Sequence, residues 1–265
     1  MEIRKDLRLA VLIDADNVPY ANIKGMMEEI AKYGTPTFKR IYGDWTKPTL
    51  SGWKNVLLEN AITPIQQYNY SSGKNASDSA LIIDAMDILY TGRVDGFCIV
   101  SSDSDFTRLA TRLREAGMVV YGMGERKTLT PFISACDKFI YLEILSDKKT
   151  INAAPETKTI TAKTTKEAKA VLAGPAHSPI LTLDAELVNL ITESINDIAD
   201  DDGWAFLGDL GNLLLKKQPN FDPRNYGFSK LVPLIRSTGQ FLVIEKQTGN
   251  KKFKHVFVKN KTNSV

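Results

Sequence analysis

Between positions 7 and 142 the chain alternates short apolar runs with segments whose apolar residues recur every three or four positions. This alternation constrains the fold more than any other feature. The runs 9–13, 36–42, 62–67, 96–101, 119–123 and 138–142 read as strands. Segments 23–33, 50–59, 77–90, 106–115 and 128–135 read as helices, with Gly34, Gly92 and Gly117 where helices should stop. Strand and helix in turn predict an α/β domain, a parallel sheet with helices on both faces. We assign residues 1–146 to it.

In such a sheet the carboxyl ends of the strands share one edge and form its usual binding crevice. Two of the predicted strands end in acids. Strand 9–13 runs into Asp14-Ala15-Asp16-Asn17, and strand 96–101 into the run ValSerSerAspSerAspPhe at 100–106, which holds Asp103 and Asp105. Asp78 lies just inside the start of the third helix, which also faces that edge. Carboxylates gathered there repel one another unless a hard cation sits among them.

Each acid also has a structural alternative. Asp16 and Asn17 precede a helical stretch and suit caps; Asn17 is either a cap or an orienter of a metal shell. Asp78 is favoured by the helix dipole alone. One of Asp103 and Asp105 caps the fourth helix, with Asp103 expected in the crevice and Asp105 as an outer or second-metal ligand. Asp84 lies six residues beyond Asp78, about 120° around the axis at roughly 100° per residue, and suits pairing with a basic neighbour. Asp87 is farther round still, and Asp44, in TyrGlyAspTrp, is a fifth candidate.

No histidine precedes His177. That removes Ser–His or Cys–His nucleophilic catalysis from the first domain and disfavours zinc. An oxygen-only ligand set suits Mg2+ or Mn2+, leaving metal-assisted hydrolysis of a phosphate as the chemistry. Lys74 and Arg108 either hold phosphates or are ordinary surface charges. Cys98 and Cys136 sit in apolar contexts without CxxC spacing and read as buried free thiols of a reducing compartment. The amino terminus does not read as a signal peptide, and no segment approaches the roughly 20 apolar residues of a membrane helix. A cytoplasmic protein is expected.

Residues 147–179 lose the alternation, contain no aromatic residue and end in Gly174-Pro175-Ala176-His177-Ser178-Pro179. They read as a flexible linker with a mean span on the order of 30 Å. A second domain, 180–265, follows. Helical stripes run through Leu187, Ile191 and Ile195 and through Leu207, Leu210 and Leu214; a third helix is expected over 226–235. Two alternating strands then flank Thr248-Gly249-Asn250, a turn signal. Three helices and a terminal hairpin are the parts of a winged helix. All Lys and Arg of this domain lie from Lys216 onward, so a basic face able to meet a polyanion is expected. Its candidate contacts are Lys216, Lys217, Arg224, Lys230, Arg236, Lys251, Lys252 and Lys254, with Tyr226 either stacking a base or filling the core.

The strand IleAspAlaAspAsnVal, the loop-helix AsnAlaSerAspSerAlaLeuIleIleAsp and the turn ValSerSerAspSerAspPhe resemble the three acidic motifs of the NYN family, PIN-like nuclease domains of Rossmann-like topology. The resemblance spans about residues 7–145. It implies a Mg2+- or Mn2+-dependent ribonuclease in which Asp14, Asp78, Asp103 and Asp105 match the acidic cluster and Asn17 the family's asparagine. The second domain resembles the LOTUS or OST-HTH module in AlaPheLeuGlyAspLeuGlyAsnLeuLeu, ProAsnPheAspProArgAsnTyrGlyPheSerLysLeu and PheLeuValIleGlu, which implies RNA binding. Pro233, inside the third predicted helix, is expected to kink it.

RNA, single-stranded or structured, is therefore the expected partner; a protein partner or a second copy through either domain is left open. One rival is a non-catalytic RNA-binding adaptor that keeps the fold. Another is a haloacid dehalogenase-like phosphatase, suggested by Asp14-Ala15-Asp16, although the lysine such enzymes require has no convincing position. In a third, residues 180–265 bind protein and the basic face is incidental.

Overall fold

A computed structural model describes residues 6–68, 76–145, 179–247 and 254–261. Residues 147–178 of the linker, and Lys74, Lys251 and Lys252, lie outside them. Six strands, β1 (Arg8–Asp14), β2 (Thr35–Gly43), β3 (Thr63–Gln66), β4 (Gly96–Val100), β5 (Val119–Gly124) and β6 (Lys138–Tyr141), form one sheet. Every pairing is parallel and the order is β3-β2-β1-β4-β5-β6. Helices α1 (Ile23–Ile30), α2 (Trp53–Asn60), α3 (Ala76–Tyr90), α4 (Thr107–Glu115) and α5 (Thr130–Ala135) join the strands.

Residues 9–13 are all fully buried, and their period of two divides them between two cores. Leu9, Val11 and Ile13 pack with Ile23, Met26 and Trp53 of α1 and α2; Ala10 and Leu12 pack with Leu81, Leu109 and Phe132 of α3, α4 and α5. A strand buried on both faces has to be apolar throughout, and β1 is. Gly92 and Gly117 close α3 and α4 at φ of 64° and 80°, a region that excludes most side chains.

The sheet order carries the functional consequence. The chain winds outward from β1 to β3, then returns across β1 to lay down β4 beside it. A crevice opens where the winding reverses, outside the carboxyl ends of β1 and β4. Ile13 pairs with Val100 in this register, so Asp14 stands level with Ser101.

The second domain contains α6 (Ala185–Ile198), β7 (Ala205–Phe206), α7 (Leu207–Lys217), α8 (Leu231–Ser237), β8 (Phe241–Gln247) and β9 (Lys254–Asn260). Its antiparallel sheet has the order β7-β9-β8, and Leu187, Ile191, Leu210, Leu214, Leu234 and Val258 centre its own core. Asp184 caps α6 by accepting from Leu187 N at 2.9 Å. The third helix differs from expectation. A 3-10 turn at Pro223–Tyr226 ends at Gly227, whose φ is 84°, and α8 starts only at Leu231. Pro233 thus falls in the first turn of α8, where its missing N–H has no intrahelical partner to lose, and the expected kink has no cause.

The two domains touch along β6, the edge strand of the large sheet. Phe139 N donates to Pro219 O at 2.8 Å and Asn220 Nδ2 to the Tyr141 hydroxyl at 2.9 Å. Backbone that would stay unpaired on an edge is covered in this way. Beside it Arg224 grips Glu29 of α1 with two hydrogen bonds of 2.8 Å, while Asp222 accepts from the same guanidinium at 2.7 Å. Lys32 and Tyr33 also donate to Glu29, at 2.6 and 2.8 Å. Burial alone would raise the Glu29 carboxyl, but the donors from Arg224, Lys32 and Tyr33 prevail and hold it at about 2.

Candidate active site

The crevice at the β1–β4 junction receives the acids. Asp14 is 1% exposed. Its Oδ2 accepts from Asn17 Nδ2 at 2.6 Å and from Ser101 Oγ at 2.9 Å, and its Oδ1 from Asp16 N at 3.1 Å. Burial raises its carboxyl and these donors pull it back. The Asn17 amide, through its bond to Asp14 Oδ2, restrains the Asp14 rotamer. Asp103 begins the 3-10 turn that leads into α4. Its N–H donates to Ser101 Oγ at 3.1 Å, and its Oδ1 accepts from Asp105 N at 2.9 Å, so Asp103 is the capping acid of that pair.

Asp78 sits in the first turn of α3, which packs across β1 and β2, and is buried. Its carboxyl is raised to about 6, first by burial and then by the charges of Asp14, Asp103, Asp105 and Asp16. The acids from β1, α3 and the β4 turn therefore share one field. Asp16 is exposed at the rim, 3.6 Å from Lys47 Nζ. Lys47 and Ser101 escaped sequence reasoning. A serine following a strand is common, and only the parallel register makes it the bridge between Asp14 and Asp103.

Among the described residues, no three His, Cys, Asp or Glu side chains stand close enough together to hold an ion as placed. The donor set nonetheless fits a hard divalent cation in kind: every candidate ligand is a carboxylate oxygen, and burial, followed by repulsion from its neighbours, raises Asp78. The fit lies in charge and chemistry, and the carboxylates must draw in to complete a coordination shell.

The remaining candidates separate. Asp84 is bound to Arg40 at 2.7 Å and to the Tyr42 hydroxyl at 2.7 Å, the basic pairing its position suggested. Asp44 accepts from Thr46 and Gln66 and organises the turn after β2. Arg108 is exposed, 3.8 Å from Glu115. In the second domain Lys217 pairs with Asp197 at 2.6 Å, and Lys254 and Arg236 share Glu245 at 3.0 and 3.7 Å. Arg224 is the clear departure from expectation, because its guanidinium is spent on Glu29 and Asp222 and not offered to a phosphate. Tyr226 is buried in the core. Lys216 and Lys230 remain exposed. A hollow of about 360 Å³ lies between the domains, lined by Arg126, Asp184, Asn220 and Tyr226 among others. None of Asp14, Asp78, Asp103 and Asp105 lines it.

No curated protein matches the chain. Among solved structures, a Vibrio parahaemolyticus protein of unknown function is 20% identical, covering 53% of this chain and 96% of that one, with a TM-score of 0.44. An uncharacterized Nitrosomonas europaea protein is 30% identical over 38% of this chain and 96% of its own, with a TM-score of 0.31. A Chromobacterium violaceum protein, solved over its residues 175–257, is 29% identical, covering 31% and 87%, with a TM-score of 0.26. Residues 8–143 match the NYN domain family and residues 179–253 the OST-HTH/LOTUS domain. With acids gathered at the switch point of a six-stranded parallel sheet and a winged helix behind it, the chain belongs to the NYN family and carries an OST-HTH/LOTUS domain after its NYN domain.

Proposed function

We propose that the chain is a Mg2+- or Mn2+-dependent ribonuclease that hydrolyses phosphodiester bonds at Asp14, Asp78, Asp103 and Asp105. NYN domains are typically nucleases and OST-HTH domains bind RNA, so the second domain is read as the recruiter of substrate. The observation that carries the metal is Asp78. A carboxyl held at about 6 by burial and four neighbouring acids is a site short of positive charge.

A bound divalent ion supplies charge neutralisation at a scissile phosphate and lowers the pKa of a water. The chain's own residues do the rest. Asn17 and Ser101 hold Asp14 in one rotamer, and Ser101 ties the Asp103 backbone to it, so two ligand positions from different strands move together. Asp78, from α3, supplies the third side. Lys47, beside Asp16, and the exposed Arg108 are the cations offered to the flanking phosphates.

A second reading has one observation in its favour. Because no three acids among the described residues are close enough to hold an ion as placed, a non-catalytic adaptor that binds RNA through this fold is the alternative. Incubating RNA with the full chain in Mg2+ or Mn2+ separates the two. Cleavage that falls at least about a hundredfold in Asp103→Asn supports the nuclease, on the scale of losing one electrostatic group from an active site. RNA binding without cleavage in either metal supports the adaptor.

A further inference from the structure

The small sheet of the OST-HTH domain has two unlike faces. Ala205, Phe241, Val243 and Val258 point into the domain core. Strand alternation therefore turns Phe206, Leu242, Ile244, Lys246, His255 and Phe257 outward. The register brings them together: Phe257 pairs with both Phe206 and Ile244, and His255 with Lys246. The Phe206 ring centroid is 5.4 Å from that of His255 and 5.8 Å from that of Phe257. Lys246 Nζ lies 5.0 Å from the Phe257 centroid. The three rings remain partly exposed, and Leu242 is 44% exposed.

Charge on this face has one sign. Among the described outward positions of the three strands none is Asp or Glu. Glu245 points the other way and is engaged by Lys254 and Arg236. Of the six described cations that sequence alone marked out in this domain, four, Lys217, Arg224, Arg236 and Lys254, are paired within the molecule. Lys246 has an aromatic ring beneath it and no carboxylate among its described contacts. At the far end Lys259 lies over Trp204 and donates to Asp202 O, so the acidic turn 200–202 bounds the face there.

We propose that this outward sheet face is a stacking platform for single-stranded RNA, with bases on Phe257 and Phe206 and a backbone phosphate on Lys246. Aromatic rings on an open sheet take any base, because every base has a π-face, and a flanking lysine supplies the counter-charge. The platform holds two bases. It rests on the reading of the OST-HTH domain as an RNA binder and specifies where on that domain the RNA lies.

The test uses the full chain in EDTA, so that no cleavage intervenes, and a fluorescein-labelled oligouridine of twelve nucleotides read by anisotropy. Phe257→Leu keeps an apolar side chain and removes the ring; it is expected to weaken binding about tenfold to a hundredfold. Lys246→Gln, on an exposed residue, should weaken binding and lower the slope of log K against log salt by about 1. The pair Lys216→Gln and Lys230→Gln should have the smaller effect. If both platform variants bind like the wild type while the Lys216/Lys230 pair loses affinity, the platform is wrong and RNA binding elsewhere on the domain stands. If the wild type binds no oligouridine, the platform and the RNA-recruiting reading fall together.

Discussion

Arg224 is the side chain whose removal reports most directly on how the two domains are held. Replacing it with Met keeps the length of the side chain and deletes four hydrogen bonds from its charged end, two to Glu29 and two to Asp222. Glu29 is 3% exposed at its side chain, so solvent screening of the loss is slight. Breaking a buried pair costs about 3–5 kcal/mol. A second route gives a similar figure: a fall of the Glu29 carboxyl from 4.5 to about 2 corresponds to about 3 kcal/mol at 1.36 kcal/mol per pH unit. Lys32 and Tyr33 keep part of that, while the freed Asp222 adds repulsion, so we expect a loss of about 3 kcal/mol. Urea unfolding of wild type, Arg224→Met, Glu29→Gln and the double variant forms the assay. Coupling in the cycle should reach about 2 kcal/mol, and Arg224→Met should unfold in two steps where the wild type unfolds in one. The sign with pH follows from the depressed carboxyl. The ion-pair contribution is fully present above about 4.5 and is lost as pH falls toward 2, and Arg224→Met lacks that loss. Coupling below about 0.5 kcal/mol, with one unchanged transition, would refute the argument.

What the sequence shows of this molecule follows from how local each feature is. Strand β1 is legible because five consecutive buried residues must all be apolar, and Asp14 is legible because it stops that run. The acid cluster follows once the strands are taken as parallel, since their ends must then share an edge. Ser101 does not follow, because its meaning depends on lying level with Asp14, a register fact. Sequence alone offers Arg224 as a phosphate contact because its partner Glu29 is 195 residues away and no periodicity encodes that distance. A signal did exist on the other side: Glu29 lies on the face of α1 that buries Ile23, Met26 and Ile30, and an acid on an apolar stripe demands a partner. In the second domain the apolar spacing alone starts the third helix too early, because it ignores Gly227, whose positive φ breaks the helical path one turn before α8 begins. The outward aromatic face escaped for a related reason. Alternation gives two faces to a strand, and only the tertiary fold says which of them meets the core.

Two further tests concern the acid cluster. Ser101→Ala removes the hydroxyl that joins Asp14 to the Asp103 backbone; titrating Mn2+ calorimetrically should show affinity lowered about tenfold to a hundredfold, the usual effect of losing an outer-shell partner, with the fold retained. Asp78 makes the second test, because its carboxyl is raised to about 6 by burial and by Asp14, Asp103, Asp105 and Asp16. A raised acid binds its proton more tightly in the folded chain than in the unfolded one. The free protein therefore loses stability from this group as pH rises from the ordinary carboxylate range through 6, where the Asp78 charge forms beside its acidic neighbours. A cation reverses that loss only once the proton is gone. Mn2+ should consequently raise the melting temperature at pH 7.5 and fail to do so at pH 5, with about half a proton released per ion bound at pH 6, where the Asp78 carboxyl is half protonated. In Asp78→Asn the proton release should vanish and the Mn2+ shift should become small at both pH values. Equal Mn2+ stabilisation at pH 5 and 7.5 in the wild type would mean that Asp78 does not face the ion, and the metal site would have to be sought without it.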